Sequence, residues 1–309
     1  MKILVLGGSG FVGRHVIQKM VRLDWQVTLP TRRAVNARHL QMLPRVDIVQ
    51  CNVHDEATLQ KLLPGHDAVI NLVAILHGNK TAFNTSHVEL PEKLARACLA
   101  SGVKRLVHVS ALGVDDHDPM RAPSNYLRSK GRGEAVLLDA AKQGLQLTLL
   151  RPSVIFGADD KFLNLFASLQ RLAPFVPLAG AEARFQPVWV DNVAQAVVNC
   201  LNIPATIGMT YELCGPQVFS LRQLVQLSAR LSGINHGRGR PVIGLPTALG
   251  YVQALLMELL PGAPLMSRDN LESMMVDNVT SGKHPGLKAL GISAGSVTGI
   301  ASGYLRPTN

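Results

Sequence analysis

At 309 residues, 47% of them hydrophobic, the chain is long enough for one large domain or two smaller ones around a substantial core. No apolar run reaches the roughly 18 to 20 residues of a membrane span, and the N-terminal one is broken at Gly7, Gly8 and Gly10. Neither a spanning helix nor a signal peptide is expected, which predicts a cytoplasmic protein. A net charge of +10 calls for an anionic ligand or surface, while 5% aromatics without a basic-aromatic groove pattern argues against nucleic acid.

Residues 1–6 form an apolar run of strand type that stops at Gly7. Gly7, Gly10 and Gly13 follow at three-residue intervals as a helical pattern starts at Phe11 and continues through Val16, Ile17 and Met20. Strand, tight turn and helix in that order form a dinucleotide-binding turn. A Cβ on these glycines would obstruct the bend, the approach of a pyrophosphate to backbone N–H groups, and the seating of helix on strand. Gly7, Gly10, Phe11, Val12 and Gly13 are the expected pyrophosphate contacts, at a helix N-terminus whose partial positive charge suits an anion.

Residues 25–30 read as a second strand. Where it ends, a carboxylate would accept hydrogen bonds from a free ribose 2′-hydroxyl, but Arg32 and Arg33 stand there instead. Either can clamp a 2′-phosphate through charge-assisted hydrogen bonds, so NADP(H) is expected ahead of NAD(H), with a solvated arginine pair as the bland alternative. Residues 46–50, 67–74 and 103–110 read as third, fourth and fifth strands separated by helices, the second of these over 85–101. Such alternation predicts an α/β, doubly wound parallel sheet of Rossmann-like type, right-handed, with the cofactor across its carboxyl edge. Asn52 and Val53 then meet the adenine, and Leu72, Val73 and Ala74 at the end of the fourth strand run along the cofactor.

Tyr126 and Lys130, four apart near the start of a predicted helix, share a helical face, so the ammonium can stabilise a tyrosinate. An unperturbed tyrosine titrates near 10, and a positive neighbour makes it useful closer to neutrality. A sixth strand over 146–151 leads to Pro152 and Val154, which pass the nicotinamide; Pro152 makes a rigid wall there or simply ends the strand.

Gly7-x-x-Gly10-x-x-Gly13, Asn84, the fifth strand ending His108-Val109-Ser110, and Tyr126-x-x-x-Lys130 together resemble an extended or atypical short-chain dehydrogenase/reductase. Leu150-Arg151-Pro152-Ser153-Val154-Ile155-Phe156-Gly157, Asp160-Lys161-Phe162-Leu163-Asn164, the stretch from Phe185 to Ala194, Tyr211-Glu212-Leu213-Cys214-Gly215-Pro216 and Leu260-Pro261-Gly262-Ala263-Pro264 extend the likeness over nearly the whole chain. They are similar to the branch containing the NAD(P)H-binding accessory subunit of respiratory complex I and its bacterial relatives. The resemblance implies Tyr126, Lys130 and Asn84 as the catalytic set and association with a respiratory complex or the inner membrane surface. It departs at the position past the fifth strand where active members carry Ser or Thr, because the alignment puts Leu112 there. Leucine donates no hydrogen bond, so Tyr126 and Lys130 are expected to hold the nicotinamide ribose with or without a proton relay. Two functions follow: an NADP(H)-dependent reductase of an apolar carbonyl or quinone-like substrate, or a redox-inert NADPH-binding accessory or assembly protein.

The expected division is a dinucleotide-binding domain over 1–156 and a smaller C-terminal α+β lobe over 157–309, interleaved with the sheet domain and closing over the nicotinamide. Asp191 is expected as a helix N-cap. Residues 241–267 are greasy and proline-broken, with Glu258 as their one charge. They read as a helix covering the lobe, a wall for a long apolar ligand, or an interfacial helix. Cys51, Cys98, Cys200 and Cys214 are isolated, so reduced packing residues and no metal are expected. The tail from about residue 299 is expected to be poorly ordered.

Overall fold

The computed structural model describes residues 1–262 and 264–305. The first half contains β1 (Lys2–Leu6), α1 (Phe11–Arg22), β2 (Gln26–Thr31), β3 (Val46–Gln50), α2 (Glu56–Leu62) and β4 (Ala68–Asn71). After α3 (Lys80–Asn84) and α4 (Leu90–Ser101) come β5 (Arg105–Val109), α5 (Asn125–Lys142) and β6 (Gln146–Pro152). The chain then leaves the sheet through β7 (Ile155–Phe156), α6 (Leu163–Leu172), β8 (Val176–Leu178), β9 (Arg184–Phe185) and β10 (Val188–Trp189). It returns with α7 (Val190–Asn202), and β11 (Thr210–Leu213) adds to the sheet beside β6. The order β11-β6-β5-β4-β1-β2-β3, parallel at every pairing, makes a doubly wound sheet. Successive strands run outward in opposite directions from β1 and β4, and the crevice at their carboxyl ends is the switch point where such sheets bind ligands.

Both faces are covered, as a parallel sheet requires. Alternate residues of β1 serve opposite layers: Ile3 and Val5 pack with Val16, Ile17, Val193 and Val197 on the α1–α7 side, whereas Leu4 and Leu6 pack with Leu94, Leu137 and Leu149 on the other. A separate apolar cluster forms the C-terminal lobe, joining Phe156, Phe166, Leu178 and Phe185 to Leu221, Leu224 and Val225 of α8 (Leu221–Leu231). β12 (Phe219–Ser220) pairs with β9 and β13 (Val242–Gly244) with β8; α9 (Thr247–Leu259), α10 (Arg268–Ser273) and α11 (Val297–Ala301) finish the lobe.

Three details differ from expectation. The helix over 85–101 is interrupted by a wide, π-type turn at Thr85–Glu89, because Pro91 has no N–H for the carbonyl of His87 and its ring crowds that oxygen. Asp191 does not cap α7, which begins one residue earlier with Trp189 at the cap; its carboxylate instead accepts a hydrogen bond from Lys19 Nζ at 2.8 Å, tying α7 to α1. The tail as far as Leu305 is packed: Ala301 and Leu305 are buried and the Tyr304 hydroxyl donates to Asp160 Oδ2 at 2.9 Å. Residues 306–309 lie outside the described residues.

Candidate active site

One cleft of about 780 Å³ runs along the carboxyl edge of the sheet, from the glycine turn past Tyr126 into the lobe. At its start Gly7 takes φ +77°, left-handed backbone that favours glycine, and a Cβ there would stand 2.9 Å from the Leu72 carbonyl carbon. The Gly10 N–H closes the turn on Gly7 O at 3.1 Å. Gly10 is the N-cap of α1 and no side chain caps that helix, so its first-turn N–H groups face the cleft without a protein acceptor. That arrangement fits a pyrophosphate. Gly10, Phe11, Val12 and Gly13 all line the cleft. A Cβ on Gly10 would meet only Gly7 O, at 3.2 Å, whereas one on Gly13 would overlap the Gly8 backbone. The fold therefore requires glycine at position 13 to seat the helix but leaves room for a side chain at position 10.

At the end beside β2 and β3 the cleft is lined by Thr31, Arg32, Asn36, Cys51, Val53 and His54, none of them acidic. Arg32 has no ion-pair partner among the described residues. Arg33 and Asn52 do not line the cleft. The Arg33 carbonyl accepts from Thr31 Oγ1 at 3.1 Å as the short 34–40 turn begins, and the Asn52 carboxamide oxygen accepts the His54 N–H at 3.2 Å in a local turn. Leu72, Val73 and Ala74 form the wall beyond β4. Cys51, expected as a packing residue, is a wall residue, while Cys98 and Cys200 are fully buried. Partial burial raises the Cys51 thiol. Maleimide labelling followed by peptide mass spectrometry is thus expected to modify Cys51 slowly but well ahead of Cys98 and Cys200, and a nicotinamide dinucleotide should protect it. Labelling indifferent to added dinucleotide would move the nucleotide away from this wall.

At the middle of the cleft stand Tyr126, Ser110, Leu112, Pro152 and Val154. Loss of solvent pushes the Tyr126 phenol up to about 12, and no nearby charge opposes it. Lys130, on the same face of α5, does not line the cleft: its Nζ donates to the Val109 carbonyl at 2.9 Å, and burial lowers it to about 8. Helical spacing brings the two residues to one face, but the last carbonyl of β5 captures the ammonium. Asn84, expected beside Tyr126, lies outside the cleft with its amide nitrogen 2.7 Å from Glu89 Oε1 across the wide turn. The side chain beside Tyr126 is His87, which the spacing did not point to. His87 Nε2 accepts the Ile75 N–H at 3.0 Å, so Nδ1 carries the proton toward Ser129 Oγ at 2.8 Å, and that hydroxyl donates to the Tyr126 carbonyl at 2.8 Å. Its ring meets Tyr126 edge-on with centroids 5.6 Å apart, and burial with the Lys130 charge lowers it to about 3, so it is a neutral brace.

Ser110 lies at the end of β5 with its hydroxyl buried and unpartnered. Buried hydroxyls are rarely left so, and one in a cleft wall suits a ligand acceptor. Leu112 also lines the cleft, its N–H bound to Pro152 O at 3.0 Å.

The far end is apolar, lined by Phe162, Leu165, Phe166, Phe185, Leu221, Leu265, Met266 and Met274. Residues more than a hundred positions away hold it against the sheet. Both Asp269 carboxylate oxygens accept N–H groups at the start of α5, from Asn125 at 2.7 Å and Tyr126 at 3.1 Å. Asn278 Oδ1 accepts from Ser153 Oγ at 2.6 Å and Val154 N–H at 2.8 Å. Neither residue belongs to a motif, and no local spacing signals them.

A family model described as the NAD dependent epimerase/dehydratase family matches residues 3–223. The chain is 31% identical over 297 residues to a mouse (Mus musculus) protein, mitochondrial NADH dehydrogenase [ubiquinone] 1 alpha subcomplex subunit 9, covering 93% of this chain and 75% of that one. It is 26% identical over 279 residues to a 4-hydroxy-2-methyl-3-oxo-4-farnesyl-3,4-dihydroquinoline-1-oxide ketoreductase of Stigmatella aurantiaca, covering 85% and 83%. Among solved structures, Pal from Bacillus thuringiensis superposes with a TM-score of 0.76 at 17% identity over 99% of both chains, a likeness of fold. With the uncapped glycine turn at the sheet's switch point, these matches place the chain in the NAD dependent epimerase/dehydratase family, the extended short-chain dehydrogenase/reductases.

Proposed function

We propose that the protein binds NADP(H) in preference to NAD(H) and uses it to reduce an apolar carbonyl or quinone-like compound. The observation that carries this is the single cleft joining an uncapped glycine turn to an apolar chamber, with Tyr126 and an unpartnered Ser110 hydroxyl between them. The Stigmatella relative, named for reducing a farnesylated ring ketone, supports an apolar substrate of that kind.

Bound NADPH supplies a hydride. Ser110 Oγ would donate a hydrogen bond to the substrate carbonyl oxygen and Tyr126 would deliver the proton that oxygen takes up. His87, Ser129 and Asp269 hold the start of α5 and thereby Tyr126, while Pro152 and Val154 wall the nicotinamide end. Arg32, in a wall free of carboxylates, would pair with a 2′-phosphate. Arg32→Ala is expected to weaken NADPH by roughly 1.5 to 3 kcal/mol and leave NADH nearly unchanged, read as dissociation constants by fluorescence titration. Equal loss for both nucleotides, or tighter binding of NADH by the unmodified chain, would remove the basis for NADP(H).

A second reading, a redox-inert NADPH-binding accessory protein of a respiratory or quinone-synthesis assembly, is favoured by Lys130 being engaged by Val109 and by the names of the complex I relatives.

A further inference from the structure

Helix α9 carries its apolar stripe on the outside. It buries Gly250 and Ala254 against Ala179 and Leu271, so small residues face the lobe. Leu249, Val252, Leu256 and Leu259 recur at helical spacing on the opposite face and are 55%, 53%, 60% and 74% exposed. Ile243 before the helix and Leu260 and Leu265 after it, at 50%, 65% and 52%, extend that surface. Glu258 is the one charge from residue 241 to 267, and Arg268 pairs with it at 2.9 Å. Exposed apolar surface on this scale marks an interaction site.

The charge beside it identifies what it meets. Arg230, Arg238 and Arg240 line a shallow concavity of about 480 Å³ with Pro241 and Val242, the residues that lead into β13 and α9. Arg171 adjoins them, next to Gln170, whose carboxamide oxygen accepts the Arg240 N–H at 3.0 Å. None of these four arginines has a carboxylate partner among the described residues. Leu172 and Phe175, 86% and 48% exposed, stand beside Arg171. A second copy or an apolar protein partner would cover the leucines but leave the cations unmatched; an anionic lipid surface meets both.

We propose that this face rests on an anionic phospholipid bilayer, with α9 in the interfacial plane and Arg171, Arg230, Arg238 and Arg240 on lipid phosphates. Leu265 belongs both to the exposed surface and to the cleft wall, with Met266 behind it, so the apolar chamber opens toward the acyl chains. A substrate dissolved in the bilayer would enter there without crossing water. Docking stands apart from NADP(H) preference and turnover, and holds equally for a redox-inert protein.

Co-sedimentation of the full chain with NADPH tests it, using vesicles of phosphatidylcholine alone and vesicles mixed with phosphatidylglycerol. Binding is expected on the mixed vesicles, weaker on neutral ones, and reduced by salt. Leu256→Glu with Leu259→Glu should lower partitioning at least about tenfold, and Arg230→Glu with Arg238→Glu should abolish the preference for anionic lipid. NADPH affinity should be unchanged in both variants, which shows them folded and keeps this test separate from that of the proposed function. Absence of vesicle binding overturns the proposal, as does equal binding to neutral and anionic vesicles. A dimer in analytical ultracentrifugation that the leucine substitutions dissolve, without vesicle binding, assigns the face to a second copy and overturns it too.

Discussion

Gly10→Val is expected to abolish binding of NADPH and NADH alike in a protein that still folds, whereas Gly13→Val is expected to prevent folding. The two glycines look equivalent in sequence, but their surroundings differ. A Cβ on Gly10 touches only Gly7 O, at 3.2 Å, and otherwise projects where the pyrophosphate approaches the first turn of α1. A Cβ on Gly13 overlaps the Gly8 backbone, which cannot move without lifting α1 off β1 and disturbing the layer of Val16 and Ile17 against Ile3 and Val5. Fluorescence titration should show Gly10→Val losing at least about a hundredfold in affinity, roughly 3 kcal/mol, with a cooperative thermal transition retained. Normal binding by Gly10→Val would place the nucleotide elsewhere, and a well-folded Gly13→Val would mean the turn is looser than its geometry.

Tyr126→Phe is expected to lower carbonyl reduction by about 10²- to 10⁴-fold, the usual contribution of a positioned acid, while changing NADPH affinity only slightly. Ser110→Ala should cost about 2.7 to 4 kcal/mol of barrier, the range for losing one donor to a developing oxyanion. Leu112→Ser distinguishes the two positions past β5. Sequence alignment makes Leu112 a lost donor, which predicts that a serine there raises activity. The structure leaves an unpartnered hydroxyl on Ser110 instead, so Leu112→Ser should change little. Rates of NADPH oxidation with quinones and apolar ketones, measured for all three variants, decide the matter. Turnover undiminished by Tyr126→Phe would exclude it as the acid, and turnover absent from the unmodified chain, with NADPH bound normally, would favour the redox-inert reading.

Local patterns determined the architecture because the constraints behind them are local. A strand that stops at a glycine needing φ +77°, followed by a helix whose third residue cannot carry a Cβ, admits few folds. The alternation of strand and helix after it admits essentially one handedness of sheet. Tyr126 and Lys130 share a face of α5 for the same reason, since four-residue spacing on a helix is a property of the helix alone.

What depended on the tertiary structure is which side chains meet the cleft. Arg32 enters and Arg33 does not, Val53 enters and Asn52 turns back on His54, because side-chain direction past a strand end follows the turn and not the strand's period. Asn84 binds Glu89 across the wide turn at Thr85–Glu89, and that same turn brings the His87 ring to Tyr126. Lys130 shares a face with Tyr126, yet the nearest strong acceptor belongs to β5. Asp269 and Asn278 reach the site across more than a hundred residues, a pairing that chain closure makes and no periodicity records. The same holds for α9: its spacing announces one apolar face, but only the packing of Gly250 and Ala254 against the lobe shows that the leucines face outward. Hydrophobic period fixes the face of a helix; which face is buried depends on the partner, and the partner is distant in sequence.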